Sequence, residues 1–486
     1  MAASQRNVAV EQLATAMYPT RAPFEPSEAY PEFPHASLSR VNDVYGSVRR
    51  ALFDLGFDQE RFGSPEWNPL GELIQPGMTV FLKPNMVAHY HPRRLDLHGI
   101  ITHGSVIRPI LDYVCKALAG KGRIILADCP LYFSDFYAAL RKSGVQDLLT
   151  WYRAQTDIPI ECFDLRVNKG VRTWLYGRWA RKPVLEDPRG YSFVDLGAES
   201  CFAGIDPRGL RIAVASYKEM QKHHTAEKHE YLFPNSLLAS DVVISFPKLK
   251  THRRTGVTLA LKNFMGIASL KDSLPHFRVG APVEGGDQYI SPSARKKIGT
   301  WLHDQVQSAP LMPLKFVAAV TKRILWETQR LQPFPDPVYE AMWPGNDTVW
   351  RTLYDLNRGV LYADQAGKMR TEAQRKLLVI LDGVIGGEGD GPLAATPVPS
   401  GLIIAGTNCA AVDIAATTAM GFDPAKIPLV SNVFKEDSSA YPLAAGSLDS
   451  IHIIKNGAQA SLDAITPPAG EGYQPHPGWA DYLPKR

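Results

Sequence analysis

Six short apolar runs constrain this chain more than any other feature. They are Met78–Leu82, Arg123–Ala127, Asp241–Phe246, Lys376–Leu381, Gly401–Ala405 and Ser450–Lys455. Each is too short for a buried helix and is bounded by turn residues, the pattern of a strand buried on both faces. Between them lie stretches of helical period. Val44, Val48, Leu52 and Leu55 recur every three to four residues before Gly56, and Val106, Ile110, Tyr113, Val114 and Leu118 recur before Gly120 and Gly122. Strand, helix and strand in that order make a right-handed crossover in a parallel sheet. The expected fold class is therefore α/β, a mostly parallel sheet covered by helices on both faces.

The expected organisation is one large unit with two insertions. Residues 1–75 pack on the core, and 76–270 form its first part with an insertion at about 131–200. Residues 271–370 form a helical, Trp-rich insertion or lid, and 371–486 complete the core and tail. The lid carries Trp301, Trp326, Trp343 and Trp350 and the loop Pro333–Pro337. The 45% apolar and 21% charged composition excludes a disordered or fibrous chain. A net charge of +4 over 486 residues is too mild to predict nucleic-acid binding. The first twenty residues lack the apolar core of a signal peptide and no run approaches a membrane span. The five cysteines are scattered without a C-x-x-C pair, which suits a reducing compartment. A cytoplasmic protein is expected.

Parallel strands bring their carboxyl ends to one edge, where open α/β sheets bind ligands. Three segments with chemistry follow predicted strands. In Pro247-Lys-Leu-Lys-Thr-His252, an extended chain would set Lys248, Lys250 and His252 on one face. Lys262 and Asn263 follow on the next helix, whose amino terminus is itself an anion site. In Lys83-Pro-Asn85 an ammonium and an amide reach the same edge, and Thr102 would cap the next helix with His103 facing the cleft. In Asp382-Gly-Val-Ile-Gly-Gly-Glu-Gly-Asp-Gly-Pro392 a flexible acidic loop would offer Glu388 and Asp390 to a divalent cation such as Mg²⁺, or as acid and base. Asp128, directly after a strand, is a third metal candidate.

Plainer readings stand beside these. Lys-Leu-Lys alone reads as a solvated basic turn, to which His252, Lys262 and Asn263 add the case for a site; Pro84-Asn85 alone reads as an ordinary turn, and the glycine-rich segment reads also as an acidic turn. Asp413 is near a helix start, where the dipole alone favours a carboxylate. His223, His224 and His229, with Lys222 and Lys228, read as a solvated loop rather than a zinc site. No G-x-S-x-G elbow, Walker A loop or H-E-x-x-H helix is present, which removes those hydrolases, kinases and zincins.

Taken in order, these blocks resemble a known family. Lys83-Pro-Asn85, Thr102-His103, Asp128-x-Pro130, Pro247-Lys-Leu-Lys-Thr-His252, Leu261-Lys-Asn-x-Met-Gly266, Asp382-Gly-x-x-Gly-x-Glu-Gly-x-Gly-Pro392 and Gly406-Thr-x-x-x-x-Val-Asp413 are similar to the DUF362 family of bacteria and archaea. The resemblance covers roughly 76–130, 237–275 and 376–430. Many members carry an appended ferredoxin-type cluster domain, which implies an iron–sulfur partner or a cofactor-assembly role; this chain departs from them in having no cysteine quartet and no cluster ligand motif.

The resulting expectation is an enzyme, an isomerase, lyase or transferase, acting on a small phosphorylated or carboxylate metabolite. Lys83, Asn85, Lys248, Lys262 and Asn263 would bind substrate. His103, His252, Lys250 and Glu388 would carry the chemistry, and Glu388, Asp390 and Asp128 would hold a metal. A redox or assembly protein and a non-catalytic binding module are the alternatives.

Overall fold

The computed structural model describes residues 5–33, 38–39, 41–172, 179–212, 217–309, 311–330, 341–435, 439–444, 447, 450–466 and 472–483. The apolar runs all become strands of one 11-stranded mixed sheet. Along the sheet the order is Ala458–Ala460, His452–Lys455, Asn7–Gln12, Thr396–Gly406, Lys376–Glu388, Val242–Phe246, Thr79–Pro84, Arg123–Asp128 and Ile160–Asp164. The last five of these strands run parallel. The Thr396–Gly406 strand is antiparallel to both of its neighbours.

Alternation explains why these runs are apolar throughout. Phe81, Ile125, Val243, Val379 and Leu381 enter one core, while Val80, Leu82, Ile124, Leu126, Ile244, Leu378 and Ile380 enter the other. Helices Asp43–Asp54 and Gly104–Leu118 cover the second face, and Val349–Tyr362 and Cys409–Ala419 cover the first. With both faces dry, no position on a central strand can be polar without a partner.

Three sequence expectations change here. The stretch 131–200 supplies helices Phe136–Lys142 and Val145–Gln155 and the edge strand Ile160–Asp164, so much of it extends the central sheet. In the Trp-rich stretch, Trp350 and the helix Val349–Tyr362 belong to the core, whereas Ala294–Ser308 and Met312–Arg330 form a helical hairpin. The 333–337 loop and the Trp326 side chain lie outside the described residues.

The third change concerns the glycine-rich acidic segment, which is strand rather than flexible loop as far as Glu388. Lys376–Glu388 covers its first seven residues, pairing with Thr396–Gly406 across a bulge between Gly383 and Ile385. Four of its five glycines serve close approach, and Gly389, at positive φ with open space around it, serves a turn. A Cβ on Gly387 would lie 2.4 Å from the Gly99 carbonyl oxygen, and one on Gly391 would lie 2.0 Å from that of Thr251. Backbone cannot yield as a side-chain tip can. Gly387→Ala is therefore expected to cost about 1–3 kcal/mol or more, read as a lowered urea midpoint at unchanged m-value.

Candidate functional site

The edge where the parallel strands end is built by a chain that stays extended through a proline. Val242–Phe246 pairs with the first half of Lys376–Glu388. After Pro247 the chain continues as the strand Lys248–His252 beside its second half. The register jumps from Lys248 opposite Asp382 to Lys250 opposite Gly387. That jump splits the three residues expected on one face.

Lys250 and His252 line a cavity of about 150 Å³ with Lys83, Asn85, Lys262 and Asn263. Arg253, Arg254, Lys271, His276 and Asp128 complete its polar wall. Lysines and arginines at six positions thus face a single carboxylate. That carboxylate is already engaged. Asp128 Oδ1 lies 2.6 Å from Lys83 Nζ, and the same side chain accepts from the backbone N–H of Met86 and of Cys129. Gly266 makes room for this pair, since a Cβ there would lie 2.3 Å from Asp128 Oδ1.

The remaining groups are held by short polar contacts. Lys250 Nζ donates to the Ile100 carbonyl at 2.6 Å and reaches Asn85 Oδ1 at 3.4 Å. Asn263 donates to the Lys83 carbonyl and to Ser245 Oγ, so its amide ties the helix Leu259–Asn263 to two strands. The start of that helix is capped from elsewhere in the chain. Asp413, inside the helix Cys409–Ala419, accepts from the N–H groups of Ala260 and Leu261. Its burial pushes the carboxyl up to about 8 against those two bonds. Asp413 therefore positions Lys262 and does not rest on its own helix dipole.

Lys262 is the exception among these groups. Its ammonium makes no hydrogen bond or ion pair with any described residue, and burial, with Arg254 and Lys271 nearby, pulls it down to about 7. Burial also pulls Lys250 well below the usual lysine range, with Lys248 and Lys262 adding repulsion. His252 is pulled well below neutrality by burial and by Lys262, and its Nδ1 accepts from the Arg254 N–H. His276 is lowered by burial and Arg254. Buried imidazole beside cations stays neutral. Cys129 also lines the wall, but burial pushes its thiol up to about 11, which makes it a poor nucleophile.

Lys248 and His103 do not line this cavity. Lys248 Nζ lies 3.0 Å from Asp382 Oδ2 and donates to Tyr18 Oη at 2.7 Å. Tyr18 Oη donates to Asp382 Oδ1 at 2.6 Å, and its ring stacks on His103 with centroids 4.2 Å apart. His103, not Thr102, caps the Gly104–Leu118 helix, through Nδ1 and the Ser105 N–H. Thr102 instead donates to the Phe246 carbonyl and accepts from the Asn85 N–H. With Tyr18, Asp96 and His98, His103 borders a separate cavity of about 510 Å³.

Glu388 and Asp390 are also absent from the lysine cavity. Because the strand runs on to Glu388, its carboxylate turns to the carboxyl-terminal segment and accepts from the Gln474 N–H at 2.8 Å. Asp390 Oδ1 lies 3.6 Å from His476 Nε2. Glu388, Asp390 and Asp128 are thus not gathered around one point, and among the described residues no three His, Cys, Asp or Glu side chains could hold a metal ion together. These residues do not fit a divalent cation. The histidines at 223, 224 and 229 are buried, not solvated: His224 bonds the Ser273 carbonyl and faces His229, and His223 faces Glu230.

Tyr18, Asp382, Arg253, Arg254, Lys271 and His276 complete the two polar clusters without having been singled out from sequence. Arg253 and Arg254 directly follow His252 and carried a legible signal. Lys271 and His276 stand in an irregular stretch with no pattern to mark them.

No curated protein matches the chain. The family model that matches covers residues 201–418, which takes in Lys248–Gly266, Asp382–Pro392 and Asp413. Lys83, Asn85, His103 and Asp128 precede the matched residues. That model is the one described as Domain of unknown function (DUF362), to which residues 201–418 of the chain are similar.

Proposed function

We propose that the cavity between Lys83, Lys250 and Lys262 binds a small anion, a phosphorylated or carboxylate metabolite, and that the protein is an enzyme acting on it. The observation that carries this reading is the charge imbalance: six cationic side chains face one carboxylate that Lys83 already engages. Burying like charges together costs free energy unless an anion compensates them. The cavity volume suits a phosphate or a short carboxylate rather than a large cofactor.

Lys262 is the group best placed to do chemistry. An amine held near neutrality is partly unprotonated at physiological pH, so it can accept a proton or attack a carbonyl carbon. His252, neutral and in the same wall, can relay that proton. Lys83, Lys250 and the two arginines would hold the anionic end and leave the reacting atom toward Lys262. Proton transfer, as in an isomerase or lyase, needs nothing further from the chain. Glu388 and Asp390 have no part in this reading.

Sulfate and inorganic phosphate test the binding step. Each is expected to raise the melting temperature, equivalent to about 2.7 kcal/mol at a hundredfold excess over Kd, while equal chloride does not. Glu388→Gln should leave that shift unchanged. A panel of anionic metabolites that produces no stabilisation at all would overturn the reading. Binding without turnover of any panel member would reduce it to a binding module.

A further inference from the structure

The hairpin formed by Ala294–Ser308 and Met312–Arg330 has its amphipathic pattern turned outward. Along the second helix, Leu314, Val317, Val320 and Ile324 recur at three- to four-residue spacing, which places them on one face. That face is exposed: Val317 and Ile324 are each 59% accessible, and so is Trp301 on the first helix. The buried positions are fewer and mostly smaller: Gly299, Thr300, Leu302 and Ala318. Lys322 Nζ reaches His303 Nδ1 at 2.7 Å, and Arg295 crosses to the Leu325 carbonyl. A helix that only had to pack on a globular body would bury its larger apolar side chains.

Charge identifies what the face meets. Residues 294–330 hold seven Lys or Arg against two Asp or Glu, a larger excess than the +4 of the whole chain. Lys297 pairs with Glu284 and Arg323 with Glu327, yet the balance stays positive. An exposed apolar stripe on a hairpin that also exposes a tryptophan and carries a cationic excess has the composition of an element lying in a membrane interface. Pairing with a second copy would set the same cations against one another. Among the described residues no helix is long and apolar enough to cross a membrane, so the contact is superficial.

We propose that this hairpin docks the protein onto an anionic lipid surface, with Trp301, Val317 and Ile324 entering the headgroup region. The hairpin is tied to the body through Arg211 and Asp304, 3.1 Å apart, so docking would bring the whole chain to the bilayer.

The test is sedimentation of the full-length protein with phosphatidylcholine vesicles, with and without roughly one-third phosphatidylserine. Binding is expected only with phosphatidylserine, and should weaken sharply at about 0.5 M salt. Lys297→Gln with Arg323→Gln should weaken it about 25-fold, or about fivefold per charge. Val317→Glu with Ile324→Glu should abolish it. These positions are exposed, so unchanged melting temperatures will show that the variants fold. A blue shift of tryptophan emission on binding that disappears in Trp301→Phe would place the hairpin at the interface. No binding to the anionic vesicles, or equal binding by the Val317→Glu, Ile324→Glu variant, would overturn the proposal. So would a concentration-dependent dimer that the same variant abolishes, which would assign the face to a second copy.

Discussion

Replacing Asp382 by Ala is expected to destabilise the fold by about 3–5 kcal/mol, because it strands a buried ammonium. Asp382 and Lys248 are both fully buried, with 3.0 Å between their charged atoms. The same carboxylate accepts from Tyr18 Oη and from the His103 backbone N–H. One side chain therefore joins the amino-terminal segment, the cap of the Gly104–Leu118 helix and the Lys248–His252 strand. Its removal leaves the Lys248 ammonium inside the protein with only a phenol oxygen for company. Removing both partners avoids that penalty, so Lys248→Met combined with Asp382→Leu should recover most of the loss. Urea unfolding of the two singles and the double gives the coupling energy directly. A loss below about 1 kcal/mol for Asp382→Ala would mean that water reaches the pair.

The second large effect belongs to Lys262. Burial lowers its pKa to about 7 from an ordinary 10.5, and no described residue offsets the cost. The unfolded chain keeps this proton up to its ordinary value, so between about pH 7 and 10.5 the unfolded state binds more protons than the folded one. Stability from this group therefore rises with pH across that window, by about 1.4 kcal/mol per unit at most. Below pH 7 the full penalty of a buried charge is present. Lys83, Lys248 and Lys250 are shifted in the same direction, so Lys262→Met should flatten the slope without removing it.

Anion binding reverses the sign. An anion in the cavity favours the protonated amine, so sulfate, which does not titrate here, should stabilise the wild type far more at pH 6 than at pH 9. Lys262→Met should be more stable than wild type at pH 6 without sulfate and should lose the pH dependence of the sulfate shift. Melting curves across that range decide the matter. An equal sulfate shift at both pH values, retained in Lys262→Met, would remove Lys262 from the site.

The strands were legible because their cause is local. Two-sided burial demands continuous apolar residues, and Phe81, Val243 and Val379 reach one core while their neighbours reach the other. The helix stops at Gly56 and Gly120, both at positive φ, were legible for an equally local reason. So was the extended path past Pro247, which a β-strand and a proline both allow. The glycine-rich acidic segment misled, because glycine marks either a turn or a close approach. Nothing local to Gly387 discloses that the Gly99 carbonyl will lie against it.

The sequence by itself thus determined the sheet, its strands and the basic segments at its carboxyl edge, since these follow from the period and burial of neighbouring residues. Only the tertiary structure decided which charges meet. A register jump between Lys248 and Lys250 sent one lysine to Asp382 and the other into the cavity. Glu388 was drawn to Gln474, and Asp128 to Lys83, across 86 and 45 residues of sequence respectively. A charge finds its partner through space, at distances of a few Å, and the spacing of residues along the chain carries no measure of that distance.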